Sequence, residues 1–164
     1  MTIKRIILSF LILVSSFSAF AGAIGTWKSY LSYANIQWVE QGGNRLYVLA
    51  SDALYTYNKA DQSIQTYDKQ NGLSSIDIRF IGWNEVAKRL VIVYEDNNID
   101  LMDAKGNVTN VPDYYLKALT SDKTVYSIDM NGAYCYLSTG FGLVKLNVAK
   151  AEISDSYNLS FPVN

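Results

Sequence analysis

The sequence contains no histidine, which removes the commonest side-chain base near neutral pH and the commonest metal ligand before any motif is sought. Cys135 is the only cysteine, so no intrachain disulfide can form and a thiolate metal cluster is excluded by count. An excess of basic residues is also missing. Fourteen Lys and Arg stand against 15 Asp and Glu, for a formal net charge of −1, and nothing basic is clustered. Without a positive field for phosphate, nucleic acid is not expected as a partner. No apolar run reaches the ~20 residues that a bilayer-spanning helix requires.

The apolar run that does exist opens the chain. Lys4 and Arg5 precede an apolar core over residues 6–14, followed by the small-residue stretches Ala19-Phe20-Ala21 and Ala21-Gly22-Ala23. This is the pattern of a secretory signal peptide over residues 1–23, with cleavage expected after Ala21 or Ala23 and no retained transmembrane helix. No cysteine follows the apolar core, so attachment through a lipidated N-terminal cysteine is not available. The mature chain is expected to be exported, reaching the periplasm or the outer-membrane surface, and to begin near residue 24.

What the rest of the chain contains is a repeat. The stretch over residues 45–58 returns twice, altered, at a spacing of 44 to 45 residues. Leu46, Leu90 and Tyr134 are read as equivalent, with Cys135 in the register of Tyr47 and Val91. Each copy pairs a short apolar run with a polar break and a second run ending in Asn or Asp, as a tight β-hairpin does. Thirteen tyrosines, six phenylalanines and three tryptophans suit such strands. A period in the forties built from short strands predicts propeller blades.

The fold class is therefore all-β: a partial β-propeller of about three four-stranded antiparallel blades over residues 24–164. Blade one is assigned to 36–40, 45–50, 54–57 and 63–68, and blade two to 76–83, 89–94, 98–102 and 107–111. Blade three takes 125–130, 133–138, 143–147 and 152–157, with Asn131-Gly132 as its hairpin turn. In Arg45 to Ala50 apolar side chains point both ways, as they must in a sheet packed between two others. No helix is expected between the repeats. Because known propellers close with about 4 to 8 blades, three form an incomplete ring. The strand over 26–33 has no hairpin partner and is read as donated to a last blade. The Tyr134–Tyr136 and Cys135–Leu137 sets are expected on an open face that makes residues 24–164 self-associate.

Candidate chemistry is sparse. Glu95 and Asp96, with Asp100, Asp103 and the matching Asp52, have no supporting third group and read as solvated turn carboxylates. Asp96-Asn97-Asn98 lacks the ligand spacing of a calcium loop. Ser138-Thr139-Gly140-Phe141-Gly142 lacks the further glycine and helix of a phosphate loop, and reads as a turn. Trp38 and Trp83 are placed in the core. Trp27, on the unpaired strand, is the one candidate contact for a partner or glycan. No catalytic, cofactor-binding or metal-binding residue is assigned.

Asn71-Gly72-Leu73-Ser74-Ser75, between the first two blades, resembles the linker of two-component-regulator propellers, the periplasmic sensor modules of Bacteroidetes hybrid histidine kinases. The wider text is more specific. Gly25 to Tyr33 directly after a signal peptide, Leu46 to Tyr57, Asn98 to Met102 and Tyr136 to Gly142 together look like the opening of the PorZ family. The resemblance runs from about Gly25 to Asn158. It implies a non-enzymatic surface component of the type IX secretion system, acting with the sortase machinery that attaches anionic lipopolysaccharide to cargo. It also implies a whole protein of two seven-bladed propellers and a C-terminal β-sandwich, of which this chain would hold only part of the first. The competing reading is the ligand-sensing, glycan-binding propeller of a hybrid two-component histidine kinase. A propeller hydrolase or lyase is a third class, without visible catalytic residues.

Overall fold

A computed structural model describes residues 33–51 and 53–158. Over these residues the chain forms three separate four-stranded antiparallel sheets. Blade one comprises β1 (Ile36–Gly42), β2 (Arg45–Ala50), β3 (Ala53–Asn58) and β4 (Ile64–Tyr67). Blade two comprises β5 (Ile78–Asn84), β6 (Arg89–Tyr94), β7 (Ile99–Asp103) and β8 (Val108–Asn110). Blade three comprises β9 (Val125–Asn131), β10 (Tyr134–Thr139), β11 (Gly142–Asn147) and β12 (Glu152–Asn158). Each sheet follows chain order from edge to edge, and it is the first strands, β1, β5 and β9, that approach one another between sheets. They form the hub. This is the blade arrangement of a propeller, with the expected boundaries displaced by at most two residues.

The blades are sandwiched as the doubly apolar strands require. One core joins Tyr47, Leu49 and Leu54 of blade one to Ile81, Trp83, Leu90 and Ile92 of blade two. The Tyr47 and Trp83 rings stack at 5.3 Å. A second core joins Val91, Val93 and Leu101 of blade two to Cys135, Leu137, Val144 and Leu146 of blade three. Polar ties reinforce this second seam. The wholly buried Asn84 donates through Nδ2 to the carbonyl of Gly132 at 3.0 Å, and Arg89 Nη1 donates to the carbonyl of Val148 at 3.2 Å.

Two expectations are corrected here. In the third blade the register is one residue later than the apolar pattern suggests. Leu46 faces Tyr57, Leu90 faces Met102 and Cys135 faces Leu146, so Cys135 is the counterpart of Leu46 and Leu90. Tyr134, facing Asn147, occupies the place of Arg45 and Arg89. A one-residue slip exchanges the faces of a strand. Cys135 and Leu137 are therefore buried against blade two, while Tyr134 and Tyr136 lie on the open side under the Lys145 ammonium, 4.0 and 5.9 Å from the ring centres. The hairpin turn is correspondingly Gly132-Ala133, with Gly132 at φ +58°, a conformation open to glycine without strain.

The second correction is a single helical turn, α1 (Asp113–Leu116), between blades two and three. Pro112 fixes its entry, and Tyr114 supplies the reason for it: the ring is buried in the second core and its hydroxyl donates to the Lys123 carbonyl at 2.6 Å. The linker is thereby pinned to blade three without interrupting the propeller.

Candidate functional site

The three hub strands share one irregularity. Between Ile36 and Trp38, between Ile78 and Phe80, and between Val125 and Ser127, one extra residue interrupts the pairing to the second strand of the blade. Such β-bulges re-aim side chains and are enriched beside functional sites. The extra residues are Gln37, Arg79 and Tyr126, one per blade at the same position. After the bulge, Trp38, Phe80 and Ser127 fall into equivalent places, followed by Glu40, Gly82 and Asp129.

All of these positions except Tyr126 line a groove of about 680 Å³ along the hub strands. Trp38 is 57% exposed there. Its expected place in the core is thus corrected: the bulge at Gln37 and the hub position of β1 carry the indole out of the sandwich. Its Nε1 donates to Glu40 Oε1 at 2.7 Å, which fixes the ring edge. Trp83 does lie in the core, with Nε1 donating to Glu85 Oε2 at 2.7 Å. Arg79 reaches Glu95 Oε2 at 2.6 Å and lies 5.6 Å from the Phe80 ring centre. Tyr126 donates to Asp122 Oδ2 at 2.7 Å, and that bond raises the phenol pKa.

The carboxylates singled out in the sequence do not converge. Glu95 serves Arg79; Asp96 accepts from the Ser75 hydroxyl at 2.6 Å and from the Asn98 amide at 2.9 Å. Asp103 accepts from the backbone of Lys105 and Asn107. Asp100 is wholly buried, which corrects its reading as a solvated turn residue. Its carboxylate is held by the Tyr94 hydroxyl at 2.6 Å, the Ser74 amide at 2.8 Å and Asn110 Nδ2 at 2.8 Å. Burial and the adjacent Asp100 push the Tyr94 pKa well above the usual phenol range. This is a structural lock between linker and blade. Ser138 to Gly142 form the β10–β11 hairpin, with the Thr139 hydroxyl donating to the Gly142 carbonyl at 2.9 Å. Trp27 and Asp52 lie outside the described residues, as does the strand expected over residues 26–33 apart from its last residue.

The bulge triad and the exposed Trp38 escape the sequence reading. A signal for them exists: Ile36-Gln37-Trp38 and Ile78-Arg79-Phe80 share an apolar, polar, aromatic order at the head of a hub strand.

Comparison with known proteins decides the family. The family model described as the N-terminal β-propeller domain of PorZ, of the type IX secretion system, matches residues 46–164. The chain belongs to the PorZ N-terminal β-propeller family. Among solved structures, PorZ of Porphyromonas gingivalis, an essential bacterial surface component of that system, superposes with a TM-score of 0.75 at 33% identity. The match covers 81% of this chain and 18% of that one, so the chain spans less than a fifth of its solved PorZ relative. The extracellular domain of a putative one-component system from B. thetaiotaomicron superposes with a TM-score of 0.61 at 15% identity, covering 81% of this chain and 18% of that one. AztD from Citrobacter koseri gives 0.59 at 14% identity, over 79% and 35%. These last two share the fold. No curated protein matches the chain. Among the described residues of this PorZ-family propeller, no helix is long and apolar enough to cross a membrane.

Proposed function

We propose that this chain is an exported, non-enzymatic propeller module of type IX secretion in a Bacteroidetes cell. It acts at the outer-membrane surface with the sortase machinery that attaches anionic lipopolysaccharide to secreted cargo. The observation that carries the reading is membership of the PorZ propeller family across residues 46–164, together with 33% identity to a surface component of that system. The residues fit a binding role. The hub groove presents aromatic and charged side chains, whereas Asp96, Asp100 and Asp103, outside it, are engaged in turn and linker contacts.

Disruption of the gene is expected to leave type IX cargo unattached at the cell surface. Affinity capture of the tagged full-length protein from membranes is expected to retain sortase components. Normal cargo attachment in the disrupted strain would overturn the reading. Export itself is checked by mass spectrometry of the mature N-terminus, expected at Gly22 or Ile24. The sensor alternative has likeness of fold at 15% identity in its favour, and it predicts transcriptional change instead of a secretion defect in the same strain.

A further inference from the structure

We propose that the hub groove is a docking site for a cationic polypeptide segment, with a Lys or Arg side chain laid on the Trp38 indole. This does not depend on the secretion assignment, because it rests on how the repeat is filled. In blade two the bulge residue is Arg79, and its guanidinium is held between the Phe80 ring at 5.6 Å and the Glu95 carboxylate at 2.6 Å. An aromatic face and a carboxylate together form a receptor for a cation, and here the receptor is occupied by the chain's own side chain.

Blade one repeats the aromatic half of that receptor, with Ser51 in the place of Glu95 and a carboxylate supplied instead by Glu40 of the same strand. Trp38 stands where Phe80 stands, with a larger and more electron-rich face, and Glu40 holds its edge at 2.7 Å. The bulge position carries the neutral Gln37, and among the described residues no cation lies over the indole. The groove as a whole has Glu40, Glu95 and Asp129 against Arg79, so its charge favours a basic visitor and opposes an anionic polymer. Asp129 is exposed on β9, the hub strand beyond β5 on the far side of the groove, where it can meet a second basic residue of the same segment. Any contact with anionic lipopolysaccharide is expected away from this groove.

The test uses the full-length protein with three probes: a tri-arginine peptide, a tri-glutamate peptide and maltotriose, followed by calorimetry. Saturable binding of tri-arginine is expected, weakening as NaCl rises from about 50 to about 300 mM. Trp38→Ala and, separately, Asp129→Asn are each expected to weaken it about fivefold. Asp129 is exposed, so its variant keeps the test decisive should loss of Trp38 impair folding. Absence of tri-arginine binding, equal binding of tri-glutamate, preference for maltotriose, or insensitivity to both substitutions would overturn the proposal.

Discussion

The backbone amide of Ser74 donates to Asp100 Oδ2 at 2.8 Å, fastening the linker that leaves blade one to a central strand of blade two. Tyr94 and Asn110 complete the shell at 2.6 and 2.8 Å. A wholly buried carboxylate is tolerated here because each oxygen meets a donor. The Asn71 to Ser75 motif thus has a physical role: Leu73 is buried in the first core, Ser74 binds Asp100 and Ser75 binds Asp96. Asp100→Ala is expected to lower stability by about 2–4 kcal/mol, since it leaves several buried donors without an acceptor. Tyr94→Phe is expected to lower it by about 1.5–3 kcal/mol, the range for a hydrogen bond to a charged group. Urea unfolding at unchanged slope measures both; a neutral Asp100→Ala would show the lock to be dispensable.

The two seams differ in how tightly glycine lets them close. A Cβ on Gly42 would lie 2.5 to 2.7 Å from the Trp83 ring, which is itself pinned by Tyr47 and Glu85. A Cβ on Gly82 would meet the adaptable end of Met130 at 2.7 Å and Ile128 at 3.1 Å. Gly42→Ala is therefore expected to cost about 2–3 kcal/mol by overpacking, and Gly82→Ala about 1 kcal/mol. Thermal unfolding of the pair decides the order, and equal losses would mean that the Trp83 ring yields as readily as a methionine.

Cys135 occupies the core place of Leu90, and burial, helped by the Asp129 charge, pushes its thiol up to about 12. The neutral buried thiol contributes fully below the ordinary thiol pKa of ~8.5, and its contribution is lost as pH rises through the folded value. At pH ~8 a disulfide reagent is expected to label Cys135 only after denaturant is added. Rapid labelling of the native protein would place the side chain at the surface and undo the register correction.

The legible part of this fold is the part that the apolar pattern encodes. Twelve strands are read from period and turn residues, because a buried sheet needs apolar side chains on both faces and turns need glycine or amides. The slip in blade three is not legible. Tyr134 is apolar enough to pass for a core residue, and spacings of 44 and 45 residues look alike unless the pairing partner is known. Trp38 is misread for a related reason: a bulge inserts one residue without disturbing the apolar count, yet it redirects the side chains beyond it. A four-residue helix is shorter than any periodicity can reveal. The seam bonds of Asn84 and Arg89 join residues 48 and 59 positions apart, which no local pattern carries.

The face of blade one turned away from blade two carries large apolar side chains into solvent. Ile36, Val39 and Ile64 are 56%, 49% and 64% exposed there, beside the half-buried Leu46 and Tyr57. Ile64 also lies on β4, the outer edge of its sheet, where unpaired backbone adds to the attraction for another chain. Blade three differs, because its outward Tyr134 and Tyr136 are shielded by Lys145 and accompanied by the exposed Asp155. Self-association of residues 24–164 is therefore expected through blade one, with each large apolar side chain worth ~1.5–3 kcal/mol if fully covered. Sedimentation is expected to show concentration-dependent oligomers, converted to monomer by Val39→Lys with Ile64→Lys and not by Tyr134→Ser. Since both lysines replace exposed residues, the melting temperature should hold. A monomer from the unsubstituted chain, or oligomers that survive the double lysine variant, would show that the open apolar face is not what brings copies together.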